Sequence, residues 1–162
     1  MVYALVNKAK FFFKMNLKLL EYQNLIKIRH KENKVEILDS VRNKYLVLTP
    51  EEHVRQLFIH FLIQKMNFSK NRISVERALE YNKLGKRFDL LVYDKHFEPM
   101  ILIECKSPKI DLKKGSLQQV STYNQVFSVP YLCVTNGQET FVFKMDYETR
   151  STELLHDFPL PE

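Results

Sequence analysis

At 162 residues the chain fits one domain with its own core, since a domain of this size buries roughly 70% of the surface its unfolded chain exposes. A hydrophobic share of 45% against 27% charged residues excludes a disordered chain, and three glycines with neither a phosphate loop nor a G-x-G-x-x-G fingerprint exclude a glycine-loop nucleotide site. The net charge of +6 suits a polyanionic partner without requiring one.

In chain order, residues 1–22 read as an N-terminal leader or extension, residues 23–150 as a single domain and residues 151–162 as a C-terminal tail. The apolar run Phe11–Phe13 is flanked by lysines, too short for a membrane span and unlike a signal-peptide core, and Met15 is a second plausible start. No membrane association is expected. Leu25–Arg29 and Val35–Leu38 alternate apolar and charged residues around Lys31–Lys34, which predicts a short β-hairpin, with Tyr45–Leu48 as a third strand.

Thr49-Pro50-Glu51-Glu52 opens a helix with three agreeing signals: a capping hydroxyl, proline at the first helical position and acids in the first turn. Val54, Leu57, Phe58, Phe61 and Leu62 follow at helical spacing as one buried stripe, and the helix is expected to end near Met66–Asn67. His53 and His60 lie seven apart, not the three or four that a metal pair needs, and the other histidines (His30, His96, His156) are scattered.

Ile73–Leu79, Arg87–Asp94 and Met100–Lys106 are three strand-like runs, the last stopped by Ser107-Pro108 because proline cannot donate to a ladder. A second helix is predicted over Lys113 to Phe127, then strands Tyr131–Thr135 and Thr140–Lys144 around the hairpin signal Asn136-Gly137. This order predicts an α/β or α+β sandwich around a mixed sheet. Cys105 and Cys133 each sit in an apolar run. They read as buried thiols rather than a disulfide framework, which suits a reducing cytoplasm.

A turn centred between His96 and Phe97 would pair Tyr93 with Met100 and, in the same register, Asp89 with Glu104, their Cβ atoms roughly 4.5–5.5 Å apart. Two facing carboxylates repel unless a divalent cation lies between them, and Mg²⁺ prefers one or two carboxylates plus water and phosphate. Lys106 shares the face of Glu104. Phe88, Leu90, Val92, Ile101, Ile103 and Cys105 would form the core face, leaving the other as a charged cleft. Without a cation the same residues read as the solvated face of a half-exposed hairpin, Lys106 merely neutralising Glu104.

Asp89, fourteen residues and then Glu104-Cys105-Lys106 resemble the D…(D/E)-x-K signature of the PD-(D/E)XK nuclease superfamily. The longer succession TPEEHVRQLFIHFL, RFDLLVYD, ILIECKSP, QQVSTYN and VTNGQETFVF, from Thr49 to Phe143, resembles the N-terminal nuclease domain of type I restriction enzyme R subunits. The resemblance implies a restriction-endonuclease-like core, a mixed β-sheet flanked by helices, here with an N-terminal β-hairpin extension. It implies Asp89, Glu104 and the Cys105 backbone carbonyl as ligands of Mg²⁺ (Mn²⁺ as a substitute), and Lys106 as the group that positions or activates the attacking water.

The resemblance also implies a glutamate on the first helix. Glu51 is taken for it, three before Val54 on the predicted stripe, because Glu52 completes a Thr-x-x-Glu capping box. Gln119 and Tyr123 form a Q-x-x-x-Y pattern on one helix face as supporting residues. Arg55, Arg87, Lys109, Lys113 and Lys114 are candidates to neutralise phosphates, although any one of them taken singly reads first as a solvated charge. The expected activity is metal-dependent DNA hydrolysis, with DNA, and a partner protein or second copy, as partners. The alternative is a non-catalytic DNA- or partner-binding module that retains the fold. The R subunits continue into an ATP-driven motor for which this sequence has no phosphate loop, so a nuclease without the motor is expected. Deleting either facing carboxylate is expected to leave the metal-free fold intact or slightly more stable.

Overall fold

A computed structural model describes residues 14–75, 88–112 and 128–161. Its centre is a six-stranded mixed sheet in the order β4-β5-β6-β7-β8-β9, beside a separate three-stranded sheet β1-β2-β3. The strands of the small sheet are β1 (Ile28–Lys31), β2 (Lys34–Asp39) and β3 (Lys44–Val47), paired antiparallel. This is the expected hairpin with its third strand, at slightly shifted boundaries.

Helix α1 (Pro50–Gln64) starts as the sequence dictates. Thr49 is extended, and its Oγ1 accepts the Glu52 N–H at 3.1 Å. The helix stops two residues before the expected end, and Asn67 then turns through a positive φ of 57°. The single buried stripe gives way to a broader surface: Val54, Leu57, Phe58, Phe61 and Leu62 are buried as predicted, but so are Glu52, Arg55, Gln56 and Ile59. The helix packs on the 3-10 turn Leu19–Leu25, on β6 and on β2, so several of its sides are covered. Fully burying one of its phenylalanines contributes about 1.5–3 kcal/mol.

The large sheet contains β4 (Ile73–Val75), β5 (Leu90–Tyr93), β6 (Pro99–Cys105), β7 (Tyr131–Thr135), β8 (Thr140–Asp146) and β9 (Ser151–Leu154). Among the described strands only β6 and β7 run parallel. Parallel neighbours need a crossover, and the helix predicted for it, 113–127, lies outside the described residues. Apolar clusters line both faces. Val54, Phe58, Leu90, Val92, Ile101, Ile103 and Cys105 join one, and Phe88, Leu91, Leu102, Leu132, Val134 and Phe141 the other.

The two ends of the chain differ from expectation. Residues 151–161 are no tail: β9 extends the sheet beside β8, and Phe158 packs on Phe58 and Phe61 with ring centroids 5.8 and 5.4 Å apart. Residues 15–19 of the expected extension also enter the core. Met15 bridges Thr140, and Leu19 is buried. Beyond Asn136-Gly137 the β7–β8 hairpin uses four loop residues, with Thr135 opposite Thr140 and the Asn136 side chain accepting the Gln138 and Glu139 N–H groups.

Candidate active site

The site forms where β5 begins and β6 ends. In the strands Leu90 faces Ile103, Leu91 faces Leu102 and Val92 faces Ile101, the register that sets Asp89 level with Glu104. The predicted turn is nevertheless wrong by one residue, because Tyr93 pairs with Pro99 rather than Met100. The Asp94 carboxylate accepts the N–H groups of His96 and Glu98, Phe97 takes a positive φ of 62°, and five residues close the loop. A register shift between Val92 and Tyr93 then restores the pairing. Without that irregularity Asp89 would face Ile103 and Glu104 would turn to the opposite side of the sheet.

Asp89 stands one residue before β5, so strict alternation does not reach it. Its Oδ2 accepts the Cys105 N–H at 2.6 Å and its Oδ1 accepts Arg55 Nη2 at 2.7 Å. Phe88, beyond the strand for the same reason, joins the cluster of Leu91 and Leu102 rather than that of Leu90. The face carrying Glu104 is thus apolar along its middle and charged only at its end, not a charged cleft throughout.

Glu104 on β6 lies beside Asp89, near enough for the charge of one acid to act on the other. Burial, with the Asp89 charge second, pushes its carboxyl up to about 7, although Lys106 pulls the other way. Lys106 Nζ donates to Glu104 Oε1 at 2.6 Å, and its backbone N–H is fixed on the Thr135 carbonyl at 2.8 Å. The Cys105 side chain is core, and burial holds its thiol protonated, so it is no nucleophile.

The expected inward placement of Glu51 is corrected. Glu51 is only half-buried in the first turn of α1, whereas Glu52 is 6% exposed and turned inward. Glu52 Oε2 accepts Arg55 Nη1 at 2.7 Å and Oε1 accepts Gln56 Nε2 at 2.9 Å. Arg55, readable from sequence as a solvated charge, is 5% exposed and joins Glu52 to Asp89. Sequence reasoning passed over this trio. The available signal was Glu52, Arg55 and Gln56 at i, i+3 and i+4, one helix face carrying three hydrogen-bonding side chains. Lys109 lies in an exposed turn. Arg87, Lys113, Lys114, Gln119 and Tyr123 fall outside the described residues.

The donor set suits one kind of cation. Among the described residues no three His, Cys, Asp or Glu side chains gather as a metal cage. Asp89 and Glu104 offer hard carboxylate oxygens, and two carboxylates completed by water fit Mg²⁺ better than Zn²⁺. The raised Glu104 carboxyl reflects its burial first and the Asp89 charge second.

Known proteins share this framework. The family described as "Type I restriction enzyme R protein N terminus (HSDR_N)" matches residues 50–159. The chain belongs to this family. The type I restriction enzyme EcoAI endonuclease subunit of Escherichia coli is 29% identical over 104 residues, which is 60% of this chain and 12% of that protein. A solved fragment of an HsdR subunit of a type I restriction enzyme from Vibrio vulnificus YJ016 superposes with a TM-score of 0.50 at 21% identity, over 70% of this chain and 24% of that one. This R-protein N-terminal chain therefore shares the HsdR fragment's fold and spans about an eighth of the curated relative's length. No helix among the described residues is long and apolar enough to cross a membrane.

Proposed function

We propose that this R-protein N-terminal domain is a metal-dependent deoxyribonuclease that hydrolyses phosphodiester bonds with Asp89, Glu104 and Lys106. The observation that carries the reading is the pair of carboxyls of Asp89 and Glu104 held against each other at the end of the sheet, with Lys106 on Glu104. Each acid has one cationic partner, Arg55 on Asp89 and Lys106 on Glu104, and a dication shared between the two carboxylates would neutralise the pair further.

Asp89, Glu104 and the Cys105 carbonyl would hold Mg²⁺, with Mn²⁺ as a substitute. When bound there, the ion supplies a water of lowered pKa and polarises the scissile phosphate. The chain's own part is positional and electrostatic. The Cys105 N–H fixes one edge of Asp89, and the backbone of Lys106, pinned on β7, sets its ammonium beside Glu104. From there Lys106 orients the attacking water and steadies negative charge developing on phosphate, a contribution of the kind worth several kcal/mol in such sites.

DNA is the proposed substrate. A protein partner belongs to the same proposal, because the Escherichia coli relative is named as a subunit. One observation favours the second reading, a non-catalytic DNA- or partner-binding module: Asp89 and Glu104 are each already ion-paired, to Arg55 and Lys106. Incubating supercoiled plasmid with the purified chain and Mg²⁺ or Mn²⁺ separates the two. Cleavage that disappears with EDTA supports the nuclease, and DNA binding without cleavage supports the module.

A further inference from the structure

The Glu52–Arg55–Asp89 chain calls for an explanation that the three catalytic residues do not supply. Glu52 and Arg55 are almost wholly buried on a helix that could have covered the sheet with apolar side chains alone. Burying charges is costly unless each is paired, and replacing such pairs by apolar residues is often neutral or stabilising.

Here each contact has a direction. Arg55 offers Nη1 to Glu52 and Nη2 to Asp89, at 2.7 Å each, so its planar guanidinium stands between the two carboxylates. The other oxygen of Glu52 is taken by Gln56 Nε2. Gln56 in turn accepts the backbone N–H and the hydroxyl of Ser40, at 3.1 and 3.2 Å, in the turn that follows β2. A continuous chain of hydrogen bonds thus runs from the small sheet through α1 to the Asp89 carboxylate.

We propose that Glu52 and Arg55 are positioning residues of the active site: Glu52 orients Arg55, Arg55 clamps Oδ1 of Asp89, and Glu52 does not itself coordinate the metal. The inference rests on the nuclease reading and deepens it. Both Glu52 oxygens accept donors from its own helix, and a guanidinium, which cannot ligate a cation and repels one, separates it from Asp89. With the Cys105 N–H on Oδ2, the clamp leaves the remaining lone pairs of Asp89 as the edge presented beside Glu104. Three carboxylates against two cations leave these five side chains with one negative charge when all are ionised.

The test uses the purified full chain and its E52Q, R55K and E52Q/R55M variants, with thermal melts to verify folding. Mn²⁺ alone is titrated calorimetrically, and Mg²⁺-dependent plasmid cleavage is measured in parallel. A lysine is a single point charge and cannot bridge two carboxylates as the guanidinium fork does. R55K is therefore expected to lose cleavage tenfold or more while its Mn²⁺ affinity stays within threefold of wild type.

E52Q is expected to lose cleavage about tenfold with Mn²⁺ affinity again within threefold. The double variant, which removes both buried charges together, is expected to be no worse in cleavage than R55K and to bind Mn²⁺ at least as tightly as wild type. A tenfold weakening of Mn²⁺ binding in E52Q would overturn the proposal, since it marks a direct ligand. So would full cleavage by R55K. A folded wild-type chain that binds Mn²⁺ but cleaves no DNA overturns the nuclease reading, and the Mn²⁺ affinity of E52Q still decides whether Glu52 is a ligand. A wild-type chain that binds no Mn²⁺ overturns both.

Discussion

The Asp89 carboxylate accepts the backbone N–H of Cys105 at 2.6 Å, tying the acid that precedes β5 to the strand that carries Glu104. Asp89 is therefore a structural acceptor as well as a candidate metal ligand. Its deletion removes an acceptor from a buried backbone donor and one carboxylate partner from Arg55. Asp89→Ala is accordingly expected to lower metal-free stability by about 1–3 kcal/mol. This reverses the sequence-based expectation that relief of repulsion would dominate. Thermal melts in EDTA check it, and an unchanged or raised Tm would count against the clamp.

Glu104 behaves oppositely. Burial and the Asp89 charge push its carboxyl from the ordinary value of 4.5 up to about 7 in the folded chain, so between these values the folded state holds more protons than the unfolded one. Metal-free stability should therefore be greatest below the unfolded value, fall as pH rises towards about 7, and level off above it. The loss is about 3 kcal/mol at most. Glu104→Gln should abolish this slope and raise the Tm at pH 8. Urea melts at pH 5 and pH 8 in EDTA, wild type beside variant, measure it. Equal slopes in the two proteins would contradict the assignment.

The same proton competes with a cation for Glu104, so Mn²⁺ affinity should rise as pH increases through about 7 and then level off. Titrations at pH 6 and pH 8 provide the check. An affinity independent of pH would mean that Glu104 is not a ligand.

Gly137 closes the β7–β8 loop over α1. Its φ is +88°, and a Cβ there would meet Val54 Cγ2 at 3.1 Å. Gly137→Ala is expected to cost about 1–2 kcal/mol from backbone strain and crowding together. The loop sits on the residue preceding Arg55, so cleavage should fall as well. Chemical denaturation with a parallel plasmid assay measures both, and a variant as stable as wild type would show that the loop yields.

Much of this was legible in the residues. Thr49-Pro50-Glu51-Glu52 fixed the start of α1 because cap, proline and acids act locally. The register of Asp89 and Glu104 was read correctly from an incorrect turn, because the irregularity at Val92 and Tyr93 cancels the one-residue error. Such shifts depend on how Asp94 and Phe97 close the loop, which alternation does not encode.

The rotation of α1 is not legible because a helix covered on several sides has no single apolar stripe, and the capping-box spacing of Glu52 pointed to Glu51 as the inward acid. Arg55 reads as a surface charge in the sequence because its partner Asp89 lies 34 positions away. β9 escaped notice because its four residues alternate between exposed and half-buried without a strong apolar signal.

The most direct measurement is the nicking of supercoiled plasmid in Mg²⁺ by the folded wild-type chain beside Asp89→Ala, Glu104→Ala and Lys106→Met. The account predicts cleavage by wild type that stops in EDTA and falls at least about a hundredfold in each variant, the scale on which losing a positioned catalytic group is felt. Undiminished cleavage by Asp89→Ala, or none by a folded wild type in either Mg²⁺ or Mn²⁺, would contradict it.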